Sequence, residues 1–384
     1  MYKNKITRFI YSTPLIIWII ALAFIIRLPF TFRPLKGDEI LTLQGIRVSF
    51  WEIIPYLSNP ANHEPYPPLF YWIFHIWDSI FANFILDRFL LVLIGTTGVY
   101  FTYRTGTILK NKELGIIAAI LMVFTPQAIW ADQWLRAYSL AALLCVLTVF
   151  TYLHALKTKS FWIWISYSLF GVLLLYNFYF GAIILIALGL HFIFFVKKNR
   201  RKFIFWIIAQ ALIFVSFAPW LSTVFSQFKG SSGVSEIIEK KGLWLWNLHI
   251  GALLNGWLGT FGLDSLWNPV PVSDLPIIYL LIFFFFICGI IYLSIRGWIA
   301  SLHDDRDLTV SVLWISIVPA FIGFVIHQIT SFPVVHHYYS IICWSGAIAL
   351  ALAILKLQGS YRFALIGLLV IIYSWRIADL YFFL

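Results

Sequence analysis

The residues best suited to chemistry are two acidic clusters that follow the first apolar stretch of the chain. Asp38 and Glu39 are adjacent in the sequence, and Glu64 follows His63 in the segment His-Glu-Pro-Tyr-Pro-Pro-Leu-Phe-Tyr. Carboxylates are costly to desolvate beside a membrane, so those found there commonly serve a function. A carboxylate shielded from bulk water can take a proton from a hydroxyl or an amine. Asp38, Glu39 and Glu64 are therefore candidate catalytic acids or bases.

Each cluster also has a purely structural interpretation. Asp38 and Glu39 could be solvated loop charges or a helix N-cap, because an apolar stretch begins directly after them. His63 and Glu64 could form a polar turn at the water line. In the functional interpretation, His63 and Glu64 are candidate ligands of a divalent metal ion, or they contact a phosphate-linked leaving group.

Two later polar segments each open an apolar run. Arg136 lies between Asp132 and Tyr138, where its planar guanidinium could bind phosphate oxygens. The alternative is an interfacial anchor in which Arg136 pairs with Asp132. His337 and Tyr338 open another run, where the histidine could bind phosphate or metal, or where both could be interfacial aromatic residues.

The elements that position these residues are membrane helices. The chain has 384 residues, of which 61% are hydrophobic and 11% charged, and its mean hydropathy is +0.90. Continuous apolar runs of about 18 residues or more indicate spanning helices rather than a β-barrel. The net charge of +11 comes from short basic loops, and no basic and aromatic groove module is present, so we expect no nucleic-acid partner.

The apolar runs number one more than the predicted spans. They lie near 12–29, 67–86, 88–103, 114–130, 137–156, 161–176, 180–196, 203–225, 276–295, 308–328, 339–355 and 363–381. Basic short loops should be cytoplasmic, and every second loop from residue 104 onward is basic. The basic N-terminus is also cytoplasmic only if the run 67–86, which begins with two prolines, lies along the outer surface. We therefore predict an all-α integral membrane protein with about eleven transmembrane helices and a juxtamembrane helix, with twelve spans as the alternative.

The domain organisation follows from this topology. Residues 1–384 form a single polytopic domain in the plasma (cytoplasmic) membrane. A first external loop covers 30–87 and holds the catalytic motifs, and a second large external loop covers 226–275. Most acidic residues then lie outside, which places the predicted active site on the extracytoplasmic face; those left inside are Glu113, Asp304, Asp305 and Asp307.

The order of these motifs resembles the GT-C superfamily of integral-membrane glycosyltransferases. The group that looks most similar is dolichyl-phosphate-mannose–protein mannosyltransferase-like, and it includes protein O-mannosyltransferases and the lipid A aminoarabinose transferase. The Asp38-Glu39 pair matches its Asp-Glu motif after the first span. The segment 63–71 is similar to its His-Pro-Pro-Leu-Tyr-Tyr motif, and Arg136-Ala137-Tyr138 to its Arg-x-Tyr element. The likeness covers about the first 200 residues and beyond them rests on topology.

The resemblance implies transfer of a sugar, with inversion, from a polyprenyl- or dolichyl-phosphate donor outside the cytoplasm. Asp38 would then be the general base, and Glu64 or His63 would lie near the donor phosphate or a divalent metal ion. Arg136 and Tyr138 would support the donor site, and His63, His337 and Tyr338 are the further candidate donor-binding residues.

The chain departs from the group's pattern at two places. An extra Glu-Pro-Tyr separates His63 from the proline pair, and His337-Tyr338 stands where the group often has Arg-Tyr. A histidine there would bind phosphate more weakly at neutral pH.

The sequence therefore predicts an inverting glycosyltransferase whose partners are a polyprenyl-phosphate sugar and a lipid, glycan or protein acceptor. The alternatives are a transporter or flippase of lipid-linked glycans and a membrane scaffold without chemistry. Transporters usually place polar residues and broken helices at the bilayer midplane. Here the acids are predicted at the outer rim instead, which favours the enzyme.

Overall fold

The computed structural model describes residues 14–196, 200–230, 261, 277–330 and 336–383, and this part of the chain is helical without strands. In the first half the helices are α1 (Leu15–Arg27), α2 (Asp38–Arg47), α3 (Ile53–Ser58), α4 (Leu69–Phe81), α5 (Phe84–Leu109), α6 (Lys112–Phe124), α7 (Pro126–Ala131) and α8 (Tyr138–Lys157). They are followed by α9 (Phe161–Asn177), α10 (Ala182–Phe195), α11 (Arg200–Phe217), α12 (Leu221–Gly230), α13 (Ile277–Asp304), α14 (Arg306–Thr330), α15 (Cys343–Lys356) and α16 (Gly359–Phe383).

Each of the predicted spans coincides with a helix or with two helices in succession. Among the described residues, seven helices are long and apolar enough to cross a membrane, and three shorter apolar helices accompany them. The run 114–130 corresponds to α6 followed by α7. The predicted all-α membrane architecture is thereby confirmed.

The first predicted external loop contains three helices. Helix α4 starts after Pro67 and Pro68 and ends at Ala82, whose backbone is left-handed with φ of 48°. At 1.5 Å per residue, its 13 residues extend about 20 Å, which is shorter than the hydrocarbon core of about 30 Å. The apolar run 67–86 therefore divides into the short helix α4 and the start of α5, and the juxtamembrane position of α4 stays a prediction.

The core of the bundle is centred on α15, which packs against α6, α13 and α14. Of the span that contains α15, 89% is buried inside the protein. Helix α8 packs between α5 and α9, and the 3₁₀ helix His336–Ile342 packs on α8 and α7. These contacts gather the ends of several helices beside α2 and α4, where the candidate site lies.

The second predicted external loop, 226–275, lies almost wholly outside the described residues. Its described residues are 226–230 at the end of α12 and Phe261, and the Gln227 side chain donates a hydrogen bond to the Leu57 carbonyl oxygen over 2.7 Å. This contact joins α12 to the end of α3.

Candidate active site

Arg136 is the centre of the polar cluster that the helix ends enclose. It lies in the irregular segment 132–137 between α7 and α8, and only 5% of it is exposed. Its Nη1 donates to Glu64 Oε1 over 2.5 Å and to Thr42 Oγ1 over 2.6 Å. Nη1 also donates to the Asp38 carbonyl oxygen over 3.3 Å, and Nη2 lies 3.7 Å from Asp38 Oδ2. Arg136 thus joins the two acidic clusters that the sequence separates.

Asp38 and Glu39 face different surroundings. Asp38 is the first residue of α2, and its side chain is 63% exposed, whereas the side chain of Glu39 is fully buried. Successive helical residues point about 100° apart, because a turn contains 3.6 residues. Adjacent acids can therefore present one carboxylate to solvent and another to the protein interior.

Four hydrogen bonds hold the Glu39 carboxylate. Arg88 donates through Nε over 3.0 Å and through Nη2 over 2.7 Å, and the Leu135 amide donates over 2.8 Å. The Lys36 amide donates over 3.2 Å, and Arg33 Nη2 lies 3.4 Å away. Glu39 therefore ties the start of α2 to α5 and to the segment that carries Arg136.

Glu64 is 2% exposed, and both of its carboxylate oxygens are bonded. Oε1 accepts from Arg136, and Oε2 accepts a short hydrogen bond from the Tyr71 hydroxyl of α4. Burial raises the pKa of the Glu64 carboxyl above its ordinary value, while the charge of Arg136 and the Tyr71 hydroxyl lower it in part. Glu64 thus joins Arg136 to Tyr71 of α4.

Aromatic rings enclose the guanidinium of Arg136. Its central carbon lies 4.7 Å from the ring centroid of Tyr66, and the hydroxyls of Tyr66 and Tyr138 are 3.3 Å apart. Tyr66 stacks on Phe178 with centroids 5.9 Å apart, and Tyr338 meets Phe178 edge to face at 5.3 Å. The structure thus brings Arg136, Tyr138 and Tyr338 together, as three of the predicted donor-binding residues.

The two predicted histidines are placed differently. His63 is exposed and adopts a left-handed backbone with φ of 54°, directly before the buried Glu64. His337 belongs to the 3₁₀ helix beside Tyr338, but its side chain lies outside the described residues.

The predicted divalent metal ion has two candidate ligands among the described residues, His63 and Glu64. No three His, Cys, Asp or Glu side chains in the described part of the chain are grouped so that they could hold one. Glu64, one of the two predicted ligands, is committed to Arg136 and Tyr71, while His63 is exposed.

Several residues of the site were not singled out from the sequence. Arg88 and Arg27 lie at the ends of apolar runs, where a buried cation is costly and therefore needs a partner. Both are fully buried and ion-paired, Arg88 with Glu39 and Arg27 with Asp132. This cost was the signal that could have identified them. The pairing of Arg136 with Asp132, which the sequence left open, is replaced by that of Arg27 with Asp132.

Comparison with known proteins shows the fold. No protein-family model matches the sequence, and no curated protein matches it. An oligosaccharyltransferase of Archaeoglobus fulgidus tethered with an acceptor peptide containing the NVT sequon matches with a TM-score of 0.56 and 14% identity, over 96% of this chain and 55% of that one. The same enzyme in complex with Zn and sulfate matches with a TM-score of 0.56 and 15% identity, over 94% of this chain and 52% of that one. The archaeal oligosaccharyltransferase AglB from Archaeoglobus fulgidus, in complex with an inhibitory peptide and a dolichol-phosphate, matches with a TM-score of 0.52 and 13% identity. This match covers 96% of this chain and 56% of that one.

This chain therefore has the GT-C fold of integral-membrane enzymes. It spans about half the length of the solved chains that it matches. At this level of identity the likeness extends to the fold alone, and it does not distinguish the mannosyltransferase and aminoarabinose transferase group from others that share the fold.

Proposed function

We propose that the chain is an inverting glycosyltransferase that moves a sugar from a polyprenyl- or dolichyl-phosphate donor to a lipid, glycan or protein acceptor. The observation that carries the proposal is the position of Asp38. Its carboxylate is exposed at the edge of a cluster in which Glu39 and Glu64 are buried and fully bonded. The GT-C fold supports the same class of reaction, and one matching structure contains a dolichol-phosphate.

In the proposed reaction, a carboxylate oxygen of Asp38 accepts the proton of the acceptor hydroxyl or amine. The acceptor atom forms its bond to the anomeric carbon on the face opposite the phosphate. The bond from that carbon to the phosphate oxygen breaks, and its electron pair leaves with the phosphate. Attack from the opposite face inverts the anomeric configuration. A positioned general base typically contributes about 10²- to 10⁴-fold to such a rate.

The donor side of the site is assigned to Arg136, Tyr138 and Tyr338. Arg136 Nε is buried and has no hydrogen-bond partner among the described residues, and a phosphate oxygen that reached it would supply one. His63 is assigned to the rim because it is exposed, and His337 stays a predicted donor-binding residue.

Glu39 and Glu64 are assigned supporting roles in this mechanism. The oxygens of both carboxylates already accept hydrogen bonds from arginine and from other donors. To take a proton from the acceptor, either carboxylate would have to give up one of these hydrogen bonds. Glu39 and Glu64 therefore hold Arg136 and its segment in position, while Asp38 acts on the acceptor.

The orientation follows from the charge distribution. With the basic loops in the cytoplasm, the N-terminus is cytoplasmic, and the cluster around Arg136 faces the extracytoplasmic side. A lipid-phosphate donor then enters from the outer leaflet, where Asp38 is exposed to acceptors arriving from water.

The described residues give no support to the transporter. Asn177, His191 and Gln210 are polar residues that lie within or at the end of predicted spans, and each is bonded to a neighbouring helix or segment of the protein. Polar groups used in this way join helices, whereas a transport pathway presents them to the substrate.

The proposal is tested by transfer of radiolabelled sugar from a panel of polyprenyl-phosphate sugars to mixed acceptors. Membranes would contain the wild-type protein, Asp38→Asn or the control Asp304→Asn. Asp304 is a matched control because its side chain is also 63% exposed, and its partner is Lys356 at 2.7 Å. We expect transfer by the wild type and by Asp304→Asn, with a loss of about 10²-fold or more in Asp38→Asn. Equal transfer by all three proteins would refute the role of Asp38.

A further inference from the structure

The end of α1 carries a charge in the protein interior. Arg27 is fully buried, and its Nε donates to Asp132 Oδ2 over 2.6 Å. Nη1 donates to the carbonyl oxygens of Ala23 and Val123 over 3.3 Å each, and Nη2 donates to that of Met122 over 3.2 Å. Arg27 thus joins α1 to the end of α6 and to the segment 132–137.

Asp132 is held as tightly as its partner. It is 3% exposed, and its Oδ1 accepts a hydrogen bond from the Ser139 hydroxyl over 2.6 Å. A Cβ atom on Gly95 of α5 would overlap the Asp132 carboxylate, so the absence of a side chain at Gly95 makes room for it. The Gln133 side chain donates to the Arg27 carbonyl oxygen over 2.8 Å.

Stability alone is a weak reason for this arrangement. Replacing both members of a buried ion pair with well-packed apolar residues of similar volume is often neutral or stabilising, because desolvation offsets the attraction. Removing only one member is strongly destabilising, because a buried charge is left unpaired. The pair between Arg27 and Asp132 is thus better explained by the geometry that it imposes.

That geometry bears directly on the site. Asp132 begins the segment that carries Leu135, whose amide donates to Glu39, and Arg136, which contacts Asp38 and Glu64. The segment is therefore fixed at its start by Arg27 and at its middle by Glu39.

We infer that Arg27 and Asp132 are positioning residues, which fix the segment 132–137 so that Arg136 reaches Asp38 and Glu64. The inference rests on the proposed function for its catalytic consequence. Its structural consequence, the ordering of the segment, is measurable without turnover.

The test uses the full-length protein with the double substitution Arg27→Met/Asp132→Asn, which removes both charges. Its control is Lys356→Met/Asp304→Asn, because that pair is 2.7 Å apart, close to the 2.6 Å between Arg27 and Asp132, but has an exposed carboxylate. Thermal unfolding, transfer kinetics and amide hydrogen exchange of peptides covering 133–137 would be measured for each protein.

We expect the double variant to unfold near the wild-type temperature, while kcat falls about tenfold or more and exchange of the Leu135 amide rises about tenfold or more. The control should match the wild type in all three measurements. Wild-type kcat and wild-type exchange in a double variant that unfolds normally would overturn the inference.

A second variant covers the case in which the double variant does not fold. Ser139→Ala removes the hydrogen bond to Asp132 but leaves the ion pair, and Ser166→Ala is its control because that hydroxyl bonds within its own helix. Faster exchange at Leu135 in Ser139→Ala alone supports the inference, and unchanged exchange overturns it. If the wild type transfers no sugar from any donor, the proposed function fails, and the exchange measurement still decides the positioning role.

Discussion

Replacing Glu39 with glutamine tests whether Glu39 is a supporting residue or a catalytic acid. The substitution keeps the size of the side chain but removes the charge that faces Arg88 and Arg33. It also puts an NH₂ group where an oxygen now accepts from Arg88 and from the Lys36 or Leu135 amide. At least one buried donor then loses its acceptor.

The expected cost follows from burial. Glu39 and Arg88 are both fully buried, so the uncompensated guanidinium cannot be hydrated. Removing one partner of a buried, hydrogen-bonded ion pair typically costs about 3–5 kcal/mol. We therefore expect Glu39→Gln to lower the free energy of unfolding by about 3–5 kcal/mol, and to lower activity because the start of α2 and the segment 132–137 lose their common anchor.

The assay is unfolding in detergent together with sugar transfer, on Glu39→Gln, Asp38→Asn and the control Glu52→Gln. Glu52 is exposed and accepts a 3.4 Å hydrogen bond from the Ser49 amide, so its substitution should change stability by no more than about 0.5 kcal/mol. Asp38→Asn should lose activity and keep wild-type stability, since its side chain is largely exposed. Wild-type stability in Glu39→Gln together with lost activity would refute this reasoning and would make Glu39 a catalytic acid.

Three further outcomes are expected. Glu64→Gln should lower the free energy of unfolding by about 3–5 kcal/mol, since Arg136 loses its buried carboxylate; wild-type thermal unfolding would contradict this. Gly95→Ala should destabilise by about 1–3 kcal/mol through overlap with Asp132. Gly98→Ala in the same helix meets open space and should stabilise by up to about 1 kcal/mol, so equal effects at the two glycines would be inconsistent with the packing.

Local sequence pattern predicted the membrane architecture well. The positions of apolar runs and basic loops depend only on hydropathy and charge along the chain, and each predicted span coincides with helical structure. The prolines at 67 and 68 likewise marked the start of the short helix α4. The sequence did not predict where the run 67–86 divides into two helices. Ala82, the left-handed residue directly after α4, is not distinguished by hydropathy or charge.

The partners of the charged residues were not predictable in the same way. Arg27 and Asp132 are 105 residues apart, and Glu39 and Arg88 are 49 apart. Periodicity reports which face of a helix is apolar, but it does not report which helix ends meet. The sequence could therefore propose Asp132 as a partner of its neighbour Arg136, whereas the packing of α1 against α6 brings Arg27 to it instead.

The most direct test of the central claim, that Asp38 is the base, separates donor binding from transfer. Donor affinity and the single-turnover rate with donor already bound would be measured for the wild type and for Asp38→Asn. The account predicts unchanged donor affinity and a single-turnover rate reduced by about 10²- to 10⁴-fold, because the carboxylate acts on the acceptor proton. An unchanged single-turnover rate, or a loss explained entirely by weaker donor binding, would contradict it.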